Sequence, residues 1–335
     1  MDEHSTRYTV HGGEKASEPQ VKSGLRTAES DSRLTTSLCG IKLNSPILSA
    51  SGTYGYGKEF SRLYDLSLLG AVVVKGITLN QRAGNPGRRL IETPAGLINS
   101  IGLENPGLEG FISQEMPFLR EQGVPVIVNI SGNTPEEYAA LAERLDEEPG
   151  VSALEVNISC PNVKQGGMAF GVTCDMAAQV TTIVRSRTNL PMIVKLSPNV
   201  TDIAGIAQAV EAEGADCISL INTLLAMAID IHTRKPLLKN TFGGLSGPAI
   251  KPVALRMVWQ VAGAIKIPVI GMGGISSWQD AMEFILAGAS AIAIGTANFV
   301  NPYVVPEIHA GLSKYMEEQG VKNISELVGA ARINR

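Results

Sequence analysis

The sequence lacks any uninterrupted apolar stretch of about 18 residues, the length that a membrane-spanning helix needs. It also lacks a basic stripe, because 28 Lys and Arg are scattered among 32 Asp and Glu and the net charge is -4. Nucleic-acid binding needs clustered positive charge, so we expect no nucleic-acid partner. The acidic, polar start of the chain is unlike a secretory signal peptide. We therefore expect a soluble cytoplasmic protein that binds no membrane.

Cysteine and histidine are both scarce, which excludes several kinds of catalytic and metal site. None of the four cysteines belongs to a Cys-x-x-Cys pair, so their spacing supports neither an iron–sulfur cluster nor a structural zinc in this chain. Two of the four histidines lie in the polar N-terminal region, which leaves His232 and His309. We therefore expect no Ser-His-Asp triad and no bound metal.

The pattern of apolar residues divides the chain into two parts. Residues 1–36 are polar and show neither a strand period nor a helix period. We interpret them as a flexible N-terminal extension, and residues 37–335 as one domain. In that domain short β-branched runs recur, each followed by a loop and a helical pattern. The runs are 46–50, 71–75, 126–129, 154–157, 192–195, 217–221, 268–271 and 291–294.

The segments between these runs carry helix signals. Thr134 is placed to cap a helix that has Pro135 in its first turn and Glu137 to close a capping box. Asp202 precedes an apolar helical face that stops at Gly214. Apolar strands that alternate with amphipathic helices predict an α/β fold, a TIM (β/α)8 barrel, in preference to a doubly wound open sheet.

Polar residues and glycines cluster at the C-terminal ends of the predicted strands, where such barrels hold their active sites. Three long connections, 78–118, 159–173 and 223–249, leave the same face and are rich in Gly, Pro and Asn. Long loops in a compact domain are usually lids or binding loops. We therefore expect these connections to be long loops that cover a site at this face.

Two glycine-rich turns at this face predict a phosphate site. Gly271-Met272-Gly273-Gly274-Ile275-Ser276 follows the seventh strand and leads into a helix over 278–287, and Gly295-Thr296 follows the eighth strand. Glycines let backbone N–H groups approach an anion, and the helix N-terminus adds a favourable dipole. The alternative is that these glycines only permit tight turns between strand and helix.

Two lysines close apolar strands, where a buried ammonium is costly unless it meets an anion or an electron-rich ring. For Lys75 and Lys195, the alternatives to a ligand role are a salt bridge with a core carboxylate such as Glu155, or a side chain that reaches the barrel mouth. Amide side chains at the same face can read the carbonyl and N–H edges of a pyrimidine-like ring. For these asparagines turn formation is the alternative role: Asn99, Asn129, Asn157 and Asn222.

Cys160 is the candidate catalytic residue. It lies in the run Asn157-Ile158-Ser159-Cys160-Pro161-Asn162, which ends the fourth strand and opens a glycine-rich loop. A buried hydrophobic role is the commoner one for cysteine and is the one we expect for Cys217. In a loop, however, a thiol with a pKa of about 8.5 can act as a base once its neighbours favour the thiolate.

The run from Asn157 to Lys164, with Gly166-Gly167 and Ala169-Phe170-Gly171 behind it, resembles the dihydroorotate dehydrogenases. The resemblance covers about residues 37–315. It implies an FMN-dependent barrel that oxidises dihydroorotate to orotate in de novo pyrimidine (UMP) synthesis. Its other matching segments are 49–53, 99–107, 195–199, 221–223, 243–248 and 271–275.

The same resemblance implies roles for individual residues. Cys160 would remove the C5 proton while hydride leaves C6 for the flavin N5, and Lys195 would stabilise negative charge on the reduced flavin. The substrate would be held by Lys75, Asn99, Ser100, Ile101, Gly102, Leu103, Asn157, Asn222 and Thr223. FMN would be held by Ser51, Lys75, Gly76, Asn129, Asn157, Lys195, Ile221, Gly247, Gly273, Gly274, Gly295 and Thr296.

Details within the family indicate a subclass. The membrane-bound members use serine as the base and carry an N-terminal apolar helix, whereas this chain has Cys160 and a polar tail. The segments 163–171 and 221–225 resemble class 1B, whose catalytic subunit pairs with an FAD and [2Fe-2S] electron-transfer subunit and delivers electrons to NAD. We therefore expect a homodimer of this chain within a heterotetramer. The resemblance also predicts a small residue with a side chain after Lys75, where the sequence has Gly76.

Other activities remain open at this point. A fumarate-linked dihydroorotate dehydrogenase would need no electron-transfer subunit, and a dihydropyrimidine dehydrogenase-like flavoenzyme would act on a related ring. A Schiff-base aldolase would use Lys195 as the nucleophile and would bind a sugar phosphate at the glycine turns. A barrel subunit without catalytic activity is the fourth alternative.

Overall fold

A computed structural model of the chain describes residues 31–159 and 170–333. The strands in this part, in chain order, are β1 (Thr36–Leu38), β2 (Ile41–Leu43), β3 (Ile47–Ser49), β4 (Val72–Val73), β5 (Leu90–Thr93), β6 (Gly96–Asn99), β7 (Val126–Ile130), β8 (Val151–Asn157), β9 (Met192–Lys195), β10 (Cys217–Leu220), β11 (Leu224–Ala226), β12 (Ile229–Asp230), β13 (Lys235–Pro236), β14 (Gly243–Ser246), β15 (Val269–Met272) and β16 (Ala291–Ile294).

A parallel sheet of eight strands forms the centre of this part of the chain, in the order β3-β16-β15-β10-β9-β8-β7-β4. A parallel bridge between Leu48 in β3 and Ala71, just before β4, closes the sheet into a barrel. Each of the eight strands overlaps one of the predicted apolar runs. The predicted (β/α)8 barrel is therefore confirmed.

Helices surround the barrel. In chain order they are α1 (Gly107–Gln114), α2 (Met116–Glu121), α3 (Pro135–Asp146), α4 (Cys174–Arg185), α5 (Ile203–Ala212), α6 (Lys251–Ala264), α7 (Trp278–Ala287), α8 (Ala297–Val300), α9 (Val304–Gln319) and α10 (Ala330–Ile333). Short 3-10 turns lie at Ser32–Leu34, Phe60–Arg62, Leu66–Leu68, Pro248–Ile250 and Ile324–Leu327. Across residues 31–159 and 170–333, no helix is long and apolar enough to span a membrane.

The predicted helix caps are largely present. Thr134 Oγ1 accepts a hydrogen bond from the Glu137 N–H at 3.3 Å, and Asp202 Oδ1 accepts one from the Gly205 N–H at 3.0 Å. The prediction of a capping box at Thr134 is wrong, because the Glu137 carboxylate accepts from the backbone N–H of Asn133 at 2.6 Å. The Asn133 amide also donates to this carboxylate, at 2.9 Å, and so holds it one residue upstream of the cap.

The first crossover differs from the regular alternation of strand and helix. Between β3 and β4 the chain forms only the turns Phe60–Arg62 and Leu66–Leu68. Gly52, Gly55 and Gly57 all have positive φ there, which a continuing right-handed helix does not allow. Packing replaces the missing helix, since the ring of Tyr54 stacks on Phe60 with centroids 4.1 Å apart.

Two apolar layers hold the barrel together. The larger layer lies between the strands and the outer helices, and the smaller one fills the barrel interior with residues such as Ala153, Ile193 and Ala291. Leu38 and Leu43, from the β1–β2 hairpin, are fully buried in this inner layer. The hairpin therefore covers the N-terminal end of the barrel.

Part of the predicted N-terminal extension lies within the described residues. Leu34 is fully buried in the outer apolar layer. Asp31 caps the first 3-10 turn, and its hydrogen bonds from Arg33 hold the pKa of this carboxyl well below its usual range. The boundary at residue 36 stays a prediction, and residues 31–36 are in contact with the barrel domain.

The long connections are predicted as loops, but two of them form a sheet. Strands β5 and β6 from the first connection join β11 and β14 from the third in the antiparallel order β11-β14-β6-β5. Gly244 of β14 pairs with Asn99 of β6, so segments far apart in sequence meet at one wall. The strands are only three or four residues long, and β14 begins with two glycines, so no alternation of apolar and polar residues indicates them in the sequence. A second hairpin joins β12 and β13.

Candidate active site

A cavity of about 1610 Å³ opens at the C-terminal ends of the barrel strands. The antiparallel sheet forms one of its walls through Leu97, Asn99, Gly244 and Ser246. The structure brings most of the predicted site residues to this cavity. Those that line it are Ser51, Lys75, Gly76, Asn99, Ile101, Gly102, Leu103, Asn129, Asn157, Lys195, Ile221, Asn222, Thr223, Gly247, Gly273, Gly274, Gly295 and Thr296.

Two predicted residues stand apart from this set. Ser100 does not line the cavity; its buried hydroxyl accepts hydrogen bonds from the amides of Asn85 at 3.2 Å and Asn240 at 3.1 Å. Cys160 lies outside the described residues. A substrate role for Ser100 and a catalytic role for Cys160 therefore stay predictions.

Lys195, Glu155 and Asn129 form a buried polar cluster at the base of the cavity. Lys195 ends β9 and is 4% exposed; its Nζ donates to Ser51 Oγ at 3.1 Å and lies 3.7 Å from Glu155 Oε2. Glu155, in β8, is 1% exposed. Lys195 therefore combines two of the roles considered from the sequence, because its ammonium pairs with a core carboxylate and its side chain also lines the cavity.

Glu155 also determines which way the Asn129 amide points. Asn129 Nδ2 donates to Glu155 Oε2 at 2.5 Å, so Asn129 Oδ1 must face the other way. This oxygen is buried and has no hydrogen-bond partner among the described residues. A Cβ at position 76 would lie 2.8 Å from the same oxygen. Gly76 therefore keeps the space around Asn129 Oδ1 open, which explains the absence of a side chain there.

A chain of hydrogen bonds fixes the end of β8 immediately before Cys160. Asn157 Oδ1 accepts from Ser159 Oγ at 2.7 Å, and Ser159 Oγ accepts from Asn222 Nδ2 at 2.5 Å. The Tyr138 hydroxyl donates to the Asn157 carbonyl at 2.7 Å. No described residue forms a hydrogen bond with Asn157 Nδ2 or Asn222 Oδ1, so these atoms can offer a ligand one donor and one acceptor.

Lys75 supplies a cation on the wall of the cavity. Its burial lowers the pKa of its ammonium; Glu104 opposes this shift and Arg89 adds to it. Within the described part of the chain, its Nζ has neither a hydrogen bond nor an ion pair. A partly desolvated ammonium without a partner fits a ligand that carries negative charge.

The glycine turns form a cradle in the wall of the cavity. Gly247, Gly273 and Gly274 all have positive φ, and a Cβ at Gly274 would lie 2.8 Å from the Gly247 carbonyl oxygen. Helix α7 begins just beyond, capped by Ser277. Close backbone, absent side chains and a nearby helix N-terminus suit a phosphate group.

Sequence reasoning missed two contributors to this site. It treats Glu155 only as a salt-bridge partner, although a single carboxylate inside an apolar strand is a signal for a buried polar cluster. It omits Ser246, whose hydroxyl accepts a hydrogen bond from Thr296 Oγ1 at 2.8 Å and so ties β14 to the turn after β16. Strand β14 is not predicted from the sequence, so no pattern places Ser246 near Thr296.

The fold and the cavity define a class, the (β/α)8 barrels whose mouth suits a ligand with a phosphate and a polar planar ring. Comparison with known families narrows this class. The family model for dihydroorotate dehydrogenase matches residues 33–316. The chain belongs to the dihydroorotate dehydrogenase family.

Individual relatives agree with this placement. A protein of Desulforamulus reducens is 62% identical over 289 residues, which span 86% of this chain and 95% of the relative. A protein of Geotalea daltonii is 55% identical over 300 residues, spanning 90% of this chain and 98% of the relative. Both are named dihydroorotate dehydrogenase B (NAD(+)), catalytic subunit.

A solved structure supports the fold. The crystal structure of the dihydroorotate dehydrogenase of Eimeria tenella in complex with ferulenol superposes with a TM-score of 0.77 at 22% identity. The match covers 91% of this chain and 90% of that one. At this identity the likeness is one of fold.

Proposed function

We propose that this chain oxidises dihydroorotate to orotate, with FMN as its cofactor and NAD as the final electron acceptor. Family membership implies a flavin. The observation that carries the proposal is a single cavity in which a glycine cradle, the Lys195 cluster and the open amides of Asn157 and Asn222 face one ligand space. One cradle suits one phosphate, which favours FMN over a dinucleotide.

The residues at the base of the cavity fit a flavin ring. Asn129 Oδ1 is a buried acceptor without a partner among the described residues, and a ring N–H would satisfy it. The Lys195 ammonium lies 3.7 Å from the same Glu155 oxygen that Asn129 contacts, and it would offset negative charge that develops on the ring. Gly247, Gly273, Gly274, Gly295 and Thr296 would surround the phosphate. A flavin bound there would supply the acceptor for the hydride that leaves C6 of dihydroorotate.

The remaining cavity residues would bind and activate the substrate. The Lys75 ammonium would pair with its carboxylate, while Asn99, Asn157 and Asn222 would read the carbonyl and N–H edges of its ring. Cys160 Sγ would take the proton from C5 as a general base. The hydrogen bonds through Asn157, Ser159 and Asn222 hold the end of β8, which immediately precedes Cys160 in the sequence.

The relatives' names include the words catalytic subunit, which implies a separate partner subunit. We propose that this partner carries FAD and a [2Fe-2S] cluster, and that two copies of each chain form a heterotetramer. In residues 31–159 and 170–333, no group of three or more His, Cys, Asp or Glu is arranged to hold a metal ion.

Acceptor assays test the proposed function. The purified chain should convert dihydroorotate to orotate with an artificial electron acceptor, and should reduce NAD only when the electron-transfer subunit is added. Rapid turnover with fumarate by the chain alone would assign it to the fumarate-linked enzymes. The Schiff-base alternative is disfavoured because Lys195 is held in an ion pair with Glu155, and a Schiff-base nucleophile must be a neutral amine.

Orotate binding should weaken at alkaline pH because Lys75 loses its proton. An anion pairs only with the charged ammonium, and burial lowers the pKa of Lys75 in the free protein. Affinity should therefore be full below that pKa and should fall by about tenfold per pH unit above it. Titration of orotate against the flavin spectrum at increasing pH measures this. Lys75→Arg keeps its charge over the range and should show no such loss, while an identical pH profile in both proteins would contradict the assignment.

Gly274→Ala should weaken FMN binding strongly. The new methyl group would lie 2.8 Å from both the Gly247 carbonyl oxygen and Lys251 Cβ, so the cradle must open to admit it. Gly320→Ala is the matched control, because Gly320 also has positive φ but a methyl group added there would meet no atom within 4 Å. Each variant should lose about 1–2 kcal/mol of stability from backbone strain. Fluorescence titration of the apoproteins with FMN should show weakened binding for Gly274→Ala alone, and equal affinities would argue against the cradle.

A further inference from the structure

Glu155 is an acidic side chain in the interior of the barrel, and its carboxylate has three donor groups close to it in the described part of the chain. Its carboxylate accepts from Asn129 Nδ2 at 2.5 Å and from Ser219 Oγ at 2.8 Å, and Lys195 Nζ lies at 3.7 Å. The residue is 1% exposed. An ionised carboxylate is an acceptor only, so all three neighbours must direct their hydrogen atoms towards it.

This arrangement fixes the polarity of the cavity base. An amide has a donor end and an acceptor end, so Asn129 must present its oxygen away from Glu155. That oxygen is buried without a partner in the described part of the chain. A buried acceptor left unsatisfied costs about 1–3 kcal/mol, and a ligand N–H removes that cost. The oxidised flavin ring carries one N–H, so Glu155 orients Asn129 to suit it.

The Glu155 carboxylate also reduces the net positive charge next to the proposed flavin ring. Lys195 carries a positive charge although it is only 4% exposed, and Glu155 places a compensating negative charge 3.7 Å from it. Interactions between charges are stronger at such a buried position than in water. The pair therefore presents a smaller net positive charge to the cavity than Lys195 alone would.

We propose that Glu155 is a positioning residue that sets the hydrogen-bond polarity and the reduction potential of the flavin site. It acts through Asn129, whose amide it orients, and through Lys195, whose position and charge it balances. Its negative charge lowers the potential of the bound flavin. This inference rests on the proposed function, because the group whose potential is affected is the FMN proposed there.

The decisive measurement is the flavin midpoint potential, determined by dye-linked reductive titration without dihydroorotate. Glu155→Gln removes the negative charge at nearly constant volume, so the potential should shift to a more positive value. The double variant Glu155→Gln/Asn129→Asp moves the negative charge from position 155 to position 129. The amide at position 155 can then donate a hydrogen bond to the carboxylate at position 129. The potential of this double variant should move back towards that of the wild-type protein.

A control separates positioning from general loss of stability. Glu148 is also a buried carboxylate, paired with Arg120 and Arg144, but it does not line the cavity. Glu148→Gln should lower stability and leave the flavin potential unchanged. An unchanged potential in flavin-loaded Glu155→Gln, or an equal shift in Glu148→Gln, would overturn the proposal.

Failure of the Glu155 proposal can be distinguished from failure of the proposed function. Flavin bound by the wild-type protein but not reduced by dihydroorotate would reject the proposed substrate, while the potential shifts would still test Glu155. A wild-type protein that takes up no FMN would overturn both.

Discussion

Cys160→Ala should retain its flavin but be reduced by dihydroorotate slower by about two orders of magnitude or more, since a positioned general base contributes that much. Alanine removes the thiol that we propose as the acceptor of the C5 proton. The hydrogen bonds through Asn157, Ser159 and Asn222 do not involve the thiol, so ligand binding should survive. Anaerobic stopped-flow measurement of flavin bleaching gives the rate directly.

Cys174→Ala is the matched control for this experiment. Cys174 is an exposed free cysteine at the start of α4 and does not line the cavity. Its replacement should leave the bleaching rate unchanged, which excludes a general effect of removing a thiol. A near-normal rate in Cys160→Ala would remove Cys160 from the mechanism.

Lys195→Met should destabilise the protein severely and impair flavin binding. The substitution leaves the Glu155 carboxylate buried without its counter-ion, and breaking a buried ion pair from one side costs about 3–5 kcal/mol. Urea unfolding of the apoprotein measures this cost without a contribution from bound ligand. FMN titration of the same variant should show weaker binding, because the ammonium no longer faces the cavity.

The double variant Lys195→Met/Glu155→Gln tests the cause of that loss. Removing both charges leaves no uncompensated ion from this pair in the barrel, so the double variant should be more stable than Lys195→Met alone. Flavin binding should stay weak, because it depends on the ammonium. If the single variant lost less than about 1 kcal/mol, the ion pair would have no important role in stability.

The barrel could be predicted from the sequence because its strands are buried on both faces. Such strands appear as nearly continuous apolar runs, for example Val126–Ile130, where all five side chains are buried. The polar residue or glycine that follows each run then marks the catalytic face, as Lys195 does at the end of β9. The site residues followed from the family resemblance together with these positions.

Other features depend on contacts that no local pattern records. The antiparallel sheet arises where β6 meets β14, more than a hundred residues further along the chain. The direction of the Asn129 amide depends on Glu155 in the neighbouring strand, so it follows from the register of β7 and β8. The Glu137 carboxylate accepts hydrogen bonds from Asn133 instead of from the backbone N–H of Thr134, its predicted partner, because Asn133 offers it two donors.

The most direct test of the account is the visible spectrum of the purified protein, recorded anaerobically before and after addition of dihydroorotate. We predict a flavin band in the purified protein and its bleaching by dihydroorotate, with formation of orotate. A flavin band that persists after the addition would contradict the proposed substrate. A colourless protein that cannot take up FMN would contradict the flavin site itself.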